Sequence, residues 1–280
     1  IIGDFSGNAR KIIDRAHDAH TLGCDLVVFP ELAVSGYPPR DLLEKAAFID
    51  ANLAWRDRIV REIGGIGAVL GYVDRNRAAE GKPLHNAAVL CEAGRIIGTV
   101  FKQLLPTYDV FDEQRYFAPG TEAALLAYKG RRLGLTICED VWNDGDWFQP
   151  RLYRQNPVAD LAQKGADLMI NISASVFHVL KHNVRRRILS AVTAKYKLPL
   201  VHVNQVGGND SVLFDGVSMA FDAAGEMRVR AAEFAEDLVV AELSDGKSGG
   251  AVNGPMRTVS DTAAASVLDA VVMGTRDYVR

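Results

Sequence analysis

Short apolar runs rich in β-branched residues alternate with longer amphipathic stretches along this chain, and several runs stop at a reactive side chain. Leu26-Val-Val-Phe-Pro30 delivers Glu31, Arg95-Ile-Ile-Gly-Thr-Val-Phe101 delivers Lys102, and Leu133-Gly-Leu-Thr-Ile137 delivers Cys138. Runs of this length predict buried strands. Before the first of them, Ala9, Ile12, Ile13, Ala16 and Ala19 follow helical spacing, with Asn8 placed to cap the helix and Gly23 to end it. A second helix is predicted from Phe48 to Ile63, stopped by Gly64-Gly65, and a strand from Gly67 to Val73. Ala87 to Cys91 and Arg95 to Lys102 flank Glu92-Ala-Gly94 as a hairpin. Residues 103–120 read as a long connection, a kind of loop that is usually functional or mobile.

The second half repeats the alternation loosely. Strands are predicted at Leu133–Cys138, Asp167–Ile172, Leu200–Gln205 and Leu238–Leu243, and helices at Val158–Gln163 and Val179–Tyr196. Val217–Phe221 and Met227–Arg230 form a second hairpin. Lys247 to Gly254 reads as a linker, and Thr262 to Val279 as a helix with Val267, Leu268, Val271 and Val272 on one face. Strands alternating with helices, plus two hairpins, predict an α/β fold with mixed sheet covered by helices.

Composition narrows the setting. At 280 residues, with 48% hydrophobic and 24% charged positions, the chain suits one large sheet-based domain. A net charge of −3 gives no argument for nucleic acid or for an anionic membrane surface. Cys24, Cys91 and Cys138 cannot all pair, and no C-x-x-C spacing exists, so a reducing cytoplasm is expected and no metal site. No apolar run approaches the roughly 18 residues of a membrane span, and no signal peptide is visible. The first residue is Ile1 rather than Met, so a preceding segment is expected.

The three strand-end residues together suit covalent amide hydrolysis. A thiolate attacks an amide carbonyl better than a hydroxyl, provided that a base removes its proton. Glu31 can take that proton, pass it to leaving ammonia and later activate water. Lys102 and the backbone N–H of Glu139 can stabilise the tetrahedral oxyanion. Each residue alone has a plainer reading: Cys138 as a small buried hydrophobe, Glu31 as a charge near a helix start, Lys102 as a solvated strand end.

The segments around them carry a resemblance. Phe29-Pro-Glu-Leu-Ala-Val-Ser-Gly-Tyr-Pro-Pro-Arg-Asp-Leu-Leu43, Lys102-Gln-Leu-Leu-Pro-Thr-Tyr-Asp-Val-Phe-Asp-Glu-Gln-Arg-Tyr-Phe117 and Cys138-Glu-Asp-Val-Trp142 resemble the glutamate, lysine and cysteine segments of the nitrilase, or carbon–nitrogen hydrolase, superfamily. Tyr37-Pro-Pro-Arg-Asp41, Asn171-Ile-Ser-Ala-Ser175 and Val206-Gly-Gly-Asn-Asp210 with Phe214-Asp-Gly216 are similar to the glutaminase domains of glutamine-dependent NAD⁺ synthetases.

The resemblance implies a four-layer α-β-β-α sandwich, with the catalytic triad Glu31, Lys102 and Cys138. It implies glutamine contacts from Tyr108, Ser175 and Lys181, with Tyr37, Phe111 and Glu113 shaping the pocket. Lys181 suits the α-carboxylate of glutamine. Glu113 suits its α-ammonium, or orients Lys102. For Lys181 the plainer reading is a solvated basic face, since Arg185-Arg-Arg187 follow within a turn; for Tyr108 and Phe111 it is core packing.

Departures from the family pattern are Val176 where proline is usual, Leu180 where glycine is usual, and Asn209-Asp210 after the paired glycines. Cys24 and Cys91 match nothing catalytic and read as packing residues. The resemblance places a carbon–nitrogen hydrolase domain at 1–261, its first strand mostly missing, and at 262–280 the start of a helix leading toward a synthetase domain. It implies no cofactor for glutamine hydrolysis, ATP and Mg²⁺ only for that synthetase domain, and a homo-oligomer. The alternatives are a free-standing amidase or carbamoylase, and a catalytically idle assembly domain.

Overall fold

The computed structural model describes residues 1–144, 152–244 and 250–279. Its elements run α1 (Phe5–Thr21), β1 (Leu26–Val28), α2 (Ala46–Glu62), β2 (Gly67–Arg75), β3 (Leu84–Glu92), β4 (Arg95–Phe101), β5 (Leu125–Tyr128), β6 (Arg131–Ile137), α3 (Pro157–Gln163), β7 (Leu168–Ser173), α4 (Lys181–Tyr196), β8 (Leu200–Asn204), β9 (Val206–Asn209), β10 (Val212–Asp215), β11 (Met219–Phe221), β12 (Met227–Arg230), β13 (Glu242–Leu243), β14 (Val252–Asn253) and α5 (Ala263–Val279). One sheet has the order β1-β2-β3-β4 and the other β12-β11-β8-β7-β6-β5. β1 pairs parallel with β2, and β6, β7 and β8 are mutually parallel; the remaining pairs of these sheets are antiparallel.

Side-chain alternation shows why the strands read as continuous apolar runs. Ala68, Leu70 and Tyr72 of β2 and Ala87, Val89 and Cys91 of β3 pack with Ala9, Ile12 and Ala16 of α1 and Ile59 and Val60 of α2. Their neighbours Val69, Ala88 and Leu90 pack instead with Leu133, Leu135 and Ile137 of β6 and Leu168, Ile170 and Ile172 of β7. On the far side, Met169, Leu200, Met219 and Phe221 pack with Val158 and Leu161 of α3 and Ile188, Leu189 and Val192 of α4. Both faces of each central strand are therefore covered, and the layers run helix, sheet, sheet, helix, as predicted. Cys91 is fully buried in the first helix–sheet layer and Cys24 packs partly buried beside it, so both are packing residues.

Several boundaries differ from the sequence reading. α1 starts three residues before Asn8, because Asp4 is the cap and accepts the Gly7 N–H at 2.9 Å. Asn8 lies inside the helix and donates to Ile1 O at 2.7 Å and Val34 O at 3.2 Å. Of the strand predicted over Leu238–Leu243, only Glu242–Leu243 forms, and it pairs with Val252–Asn253 inside the predicted linker. Residues 245–249 of that linker lie outside the described residues. β5 and the β9–β10 hairpin were not predicted. β5 is a four-residue edge strand, and β9 contains Gly207-Gly208, which reads as a breaker. α5 buries Ser266, Ala270 and Met273, the last two packed with Phe234 and Leu213, and leaves Val267, Leu268, Val271 and Val272 43–63% exposed.

Candidate active site

Glu31, Lys102 and Cys138 follow β1, β4 and β6, so two come from one sheet and the third from the other. The approach of Glu31 depends on Gly71 in β2. A Cβ there would meet Leu32 N at 2.4 Å and Pro30 O at 2.5 Å, so only glycine lets the strand pass this close.

Glu31 is fully buried and held by three donors. Its Oε1 accepts Asn86 Nδ2 at 2.6 Å and Lys102 Nζ at 2.8 Å, and its Oε2 accepts the Ala174 N–H at 2.9 Å. Lys102 is fully buried and also donates to Glu113 Oε1 at 2.7 Å. That oxygen accepts the Tyr37 hydroxyl at 2.8 Å as well. The structure thus sets Glu113 against the Lys102 ammonium. Burial disfavours the Lys102 ammonium, but Glu113 and Glu31 together outweigh it and hold its pKa well above the ordinary lysine value. Burial pushes Glu113 up to about 7, against the pull of Lys102.

Cys138 opens a short 3₁₀ turn, Cys138–Val141, with φ at +45°. A non-glycine residue in that region costs about 1–3 kcal/mol and marks a constrained position. Glu139 is the second residue of the turn, so its N–H is among those with no partner inside it, as an oxyanion donor requires. Asp140 fastens this turn to the lysine segment. Its Oδ2 accepts Ile137 N at 3.0 Å, and its Oδ1 accepts Gln103 N at 3.0 Å and Leu104 N at 2.9 Å. Burial pushes Asp140 up to about 7, although these backbone donors oppose the shift. The connection 103–120 is thus tied down, with further bonds from Glu113 N to Pro106 O at 3.2 Å and Gly120 N to Lys102 O at 2.8 Å.

The thiol is 6% exposed. Burial and the charge of Glu31 push its pKa well above the ordinary 9.0, outweighing Lys102. Cys138 therefore rests as a thiol at neutral pH, and any attack by its sulfur needs a base. Alkylation of Cys138 by iodoacetamide, followed by peptide mass spectrometry, should accelerate about tenfold per pH unit from roughly pH 6 to pH 9. A plateau across neutral pH would mean a preformed thiolate and contradict this reading.

Around the thiol lie the residues expected to meet a substrate. Tyr108 is 44% exposed and donates to Glu139 Oε1 at 2.8 Å and Oε2 at 2.9 Å. The Phe111 ring stands edge-on to it at 5.8 Å, so Tyr108 is not a core residue, while Phe111 is partly buried. Lys181 begins α4, donates to Val176 O at 2.9 Å and sits 5.7 Å from the centre of the Trp142 ring. Burial, followed by the charge of Arg185, lowers its pKa. It is not part of a solvated basic face, and Arg185 is fully buried. Ser175 is buried, its N–H donating to Asn204 Oδ1 at 2.8 Å. A cleft of about 40 Å³ is lined by Tyr108, Glu139, Trp142, Asn143, Leu152 and Tyr153. A cavity of about 330 Å³ has Tyr37, Arg40, Phe111 and Glu113 among its walls. Cys138 is among the walls of neither.

Asn86, Asp140 and Asn204 were missed by sequence reasoning. The usable signal was a polar residue in a mostly apolar strand, within it for Asn86 and at its end for Asn204. Such a group stays buried only when hydrogen-bonded.

The carbon–nitrogen hydrolase family profile matches residues 2–249. The chain is 39% identical over 284 residues to the glutamine-dependent NAD⁺ synthetase of Synechocystis, covering 99% of this chain and 50% of that protein. It is 36% identical over 245 residues to the enzyme of the same name from Thermotoga maritima, covering 86% and 40%. The solved structure of glutamine-dependent NAD⁺ synthetase from Acinetobacter baumannii in complex with ADP has a TM-score of 0.88 at 33% identity, covering 99% of this chain and 50% of that one. An amidase from Nesterenkonia sp. shares the fold at a TM-score of 0.68 and 24% identity, covering 82% of each chain. The chain spans about half the length of the synthetases it matches. Matching family segments at all three strand ends, in a sandwich that brings those ends together, place the chain in the carbon–nitrogen hydrolase, or nitrilase, family.

Proposed function

We propose that this domain hydrolyses L-glutamine to glutamate and ammonia through a γ-glutamyl thioester on Cys138. The observation that most supports glutamine is the charge pattern around the thiol. Lys181 lies within reach of the Glu139 charge, and the Glu139 carboxylate is capped by Tyr108. An ammonium and a carboxylate at the mouth suit the α-carboxylate and α-ammonium of an amino acid. Glu139 takes the second part in this reading, because Glu113 Oε1 is committed to Lys102 and Tyr37. Ser175 and Phe111 complete the walls.

In the acylation step the sulfur of Cys138 bonds to the amide carbon while Glu31 takes the thiol proton. The oxyanion forms beside the Lys102 ammonium and the Glu139 N–H. On collapse the C–N bond breaks, and Glu31 returns its proton to the leaving nitrogen, giving ammonia and the thioester. Glu31 then takes a proton from water, whose oxygen attacks the thioester. The C–S bond breaks, the sulfur regains its proton and glutamate leaves. Lys102 stays charged throughout because Glu113 supports it from the far side.

In the longer protein, the ammonia would feed ATP-dependent amidation of deamido-NAD to NAD⁺ by a synthetase domain in cis. ATP and Mg²⁺ would serve that step and not the hydrolysis. A homo-oligomer in the cytoplasm fits this reading. Ammonia release from glutamine should be compared with release from glutaramate, which lacks the α-ammonium, and 4-aminobutyramide, which lacks the α-carboxylate. Glutamine should lead both by roughly 10²-fold or more in kcat/KM. Equal turnover of simple aliphatic amides would point to a free-standing amidase, and no turnover of any amide to an assembly domain.

A further inference from the structure

Behind Glu31 lies a run of buried polar groups. The segment leaving β7 gives its Ala174 N–H to Glu31 Oε2, and the next N–H, of Ser175, goes to Asn204 Oδ1 at 2.8 Å. Asn204, at the end of β8, donates through Nδ2 to Asp215 Oδ1 at 3.2 Å and to Gly216 O at 2.9 Å. Asp215, the last residue of β10, accepts Arg185 Nη2 at 2.8 Å on Oδ1 and at 2.7 Å on Oδ2. Arg185 and Asp215 are fully buried, and Asn204 nearly so.

The chemistry of this run fixes a direction. Asp215 and Gly216 present only acceptors to Asn204, so the amide must turn its nitrogen toward them and its oxygen toward Ser175. The flipped amide would set its oxygen against a carboxylate and a carbonyl. The Arg185 guanidinium pairs with both oxygens of the buried Asp215 side chain. His182 and Glu233 also bring ligand-type atoms within 4.8 Å of one on Asp215, but the positive charge at Asp215 is already supplied by Arg185. The β10 backbone adds to the grip, since Phe177 N donates to Leu213 O at 2.7 Å and Val176 bridges Phe214.

We propose that Asn204 and Asp215 are positioning residues for the base. Asp215 sets the amide of Asn204, Asn204 pins Ser175, and the pinned segment keeps the Ala174 N–H on Glu31 so that its carboxylate faces the thiol. This rests on Glu31 being the base of the proposed hydrolysis. Misplacing a reacting group by about 1 Å costs on the order of 10²-fold.

Asn204→Ala should therefore lower kcat for glutamine by about 10- to 100-fold, with KM within about threefold of the parent. The ammonia burst and the steady-state rate should fall together, because Glu31 serves both half-reactions. Arg185→Met/Asp215→Leu removes both buried charges at once and should act the same way. It also supplies the test if Asn204→Ala is too unstable to fold. In a Glu31→Gln background neither change should lower kcat much further, since residues that act through one group are not additive with its loss. Rates are taken per folded molecule, counted by circular dichroism. The proposal is overturned if folded variants keep the parental kcat, if KM rises instead, or if their losses persist undiminished in the Glu31→Gln background. Parental turnover by Glu31→Gln alone would instead remove the base assignment.

Discussion

Cys138→Ala is expected to release no ammonia from glutamine and yet to fold as the parent does. The substitution removes one buried sulfur, a cavity smaller than most that cost several kcal/mol. Alanine meets the same backbone strain at φ +45° as cysteine, so the turn has no new reason to rearrange. None of the bonds that hold Glu31, Lys102 and Asp140 runs through the sulfur. A glutamine-like electrophile should label Cys138 in the parent, leaving Cys24 and Cys91 unmodified. Burial pushes the Cys91 thiol up to about 12, which makes it a poor competitor. Persistent ammonia release by Cys138→Ala, with label on Cys24 or Cys91, would displace the nucleophile assignment.

Lys102→Met should fail in two separable ways. The methionine keeps much of the buried aliphatic stem but removes the ammonium beside the developing oxyanion. A loss of roughly 10²- to 10³-fold in kcat is expected, with a smaller change in KM. It also leaves Glu31 and Glu113 buried without the cation that both now share. Breaking a buried ion pair costs about 3–5 kcal/mol, so the midpoint of urea unfolding should fall clearly. Adding Glu113→Gln removes one orphaned charge and should recover much of the stability but none of the rate. Unchanged kcat with a raised KM in Lys102→Met would make Lys102 a substrate-binding residue.

The meeting of Glu31, Lys102 and Cys138 was legible because each follows an apolar strand, and strand ends are where a sheet can present a side chain without breaking its ladder. The residues that hold these three were harder to see. Asn86 and Asn204 sit in or at the end of strands, where a polar residue reads as a strand boundary. In the plainer reading of Lys181, Arg185 belongs to a solvated run of three arginines. It shares the helix face of Ile188, Leu189 and Val192, a phase that marks it as buried. The hairpin at 206–215 was obscured by its glycines, although the two-residue turn at Asp210-Ser211 closes it tightly. Leu180 explains one departure from the family pattern. Its φ of +57° lies in the region that favours glycine, so this chain accepts strain where the family usually avoids it.

Glu31 and Lys102 stand on one sheet and Cys138 on the other, and that division has a consequence in time. Each sheet with its helices can form from contacts near in sequence, but the three reactive groups meet only when Val69 and Leu90 close against Leu135 and Ile170. Chains of this length commonly pass through intermediates in which such halves exist before they dock. In such an intermediate the sulfur would be an ordinary exposed thiol, with neither the burial nor the neighbouring carboxylate that suppresses it in the finished protein. A nascent or partly unfolded chain is then more open to chance oxidation than a mature one, and the docking of the two halves is the event that makes this cysteine selective.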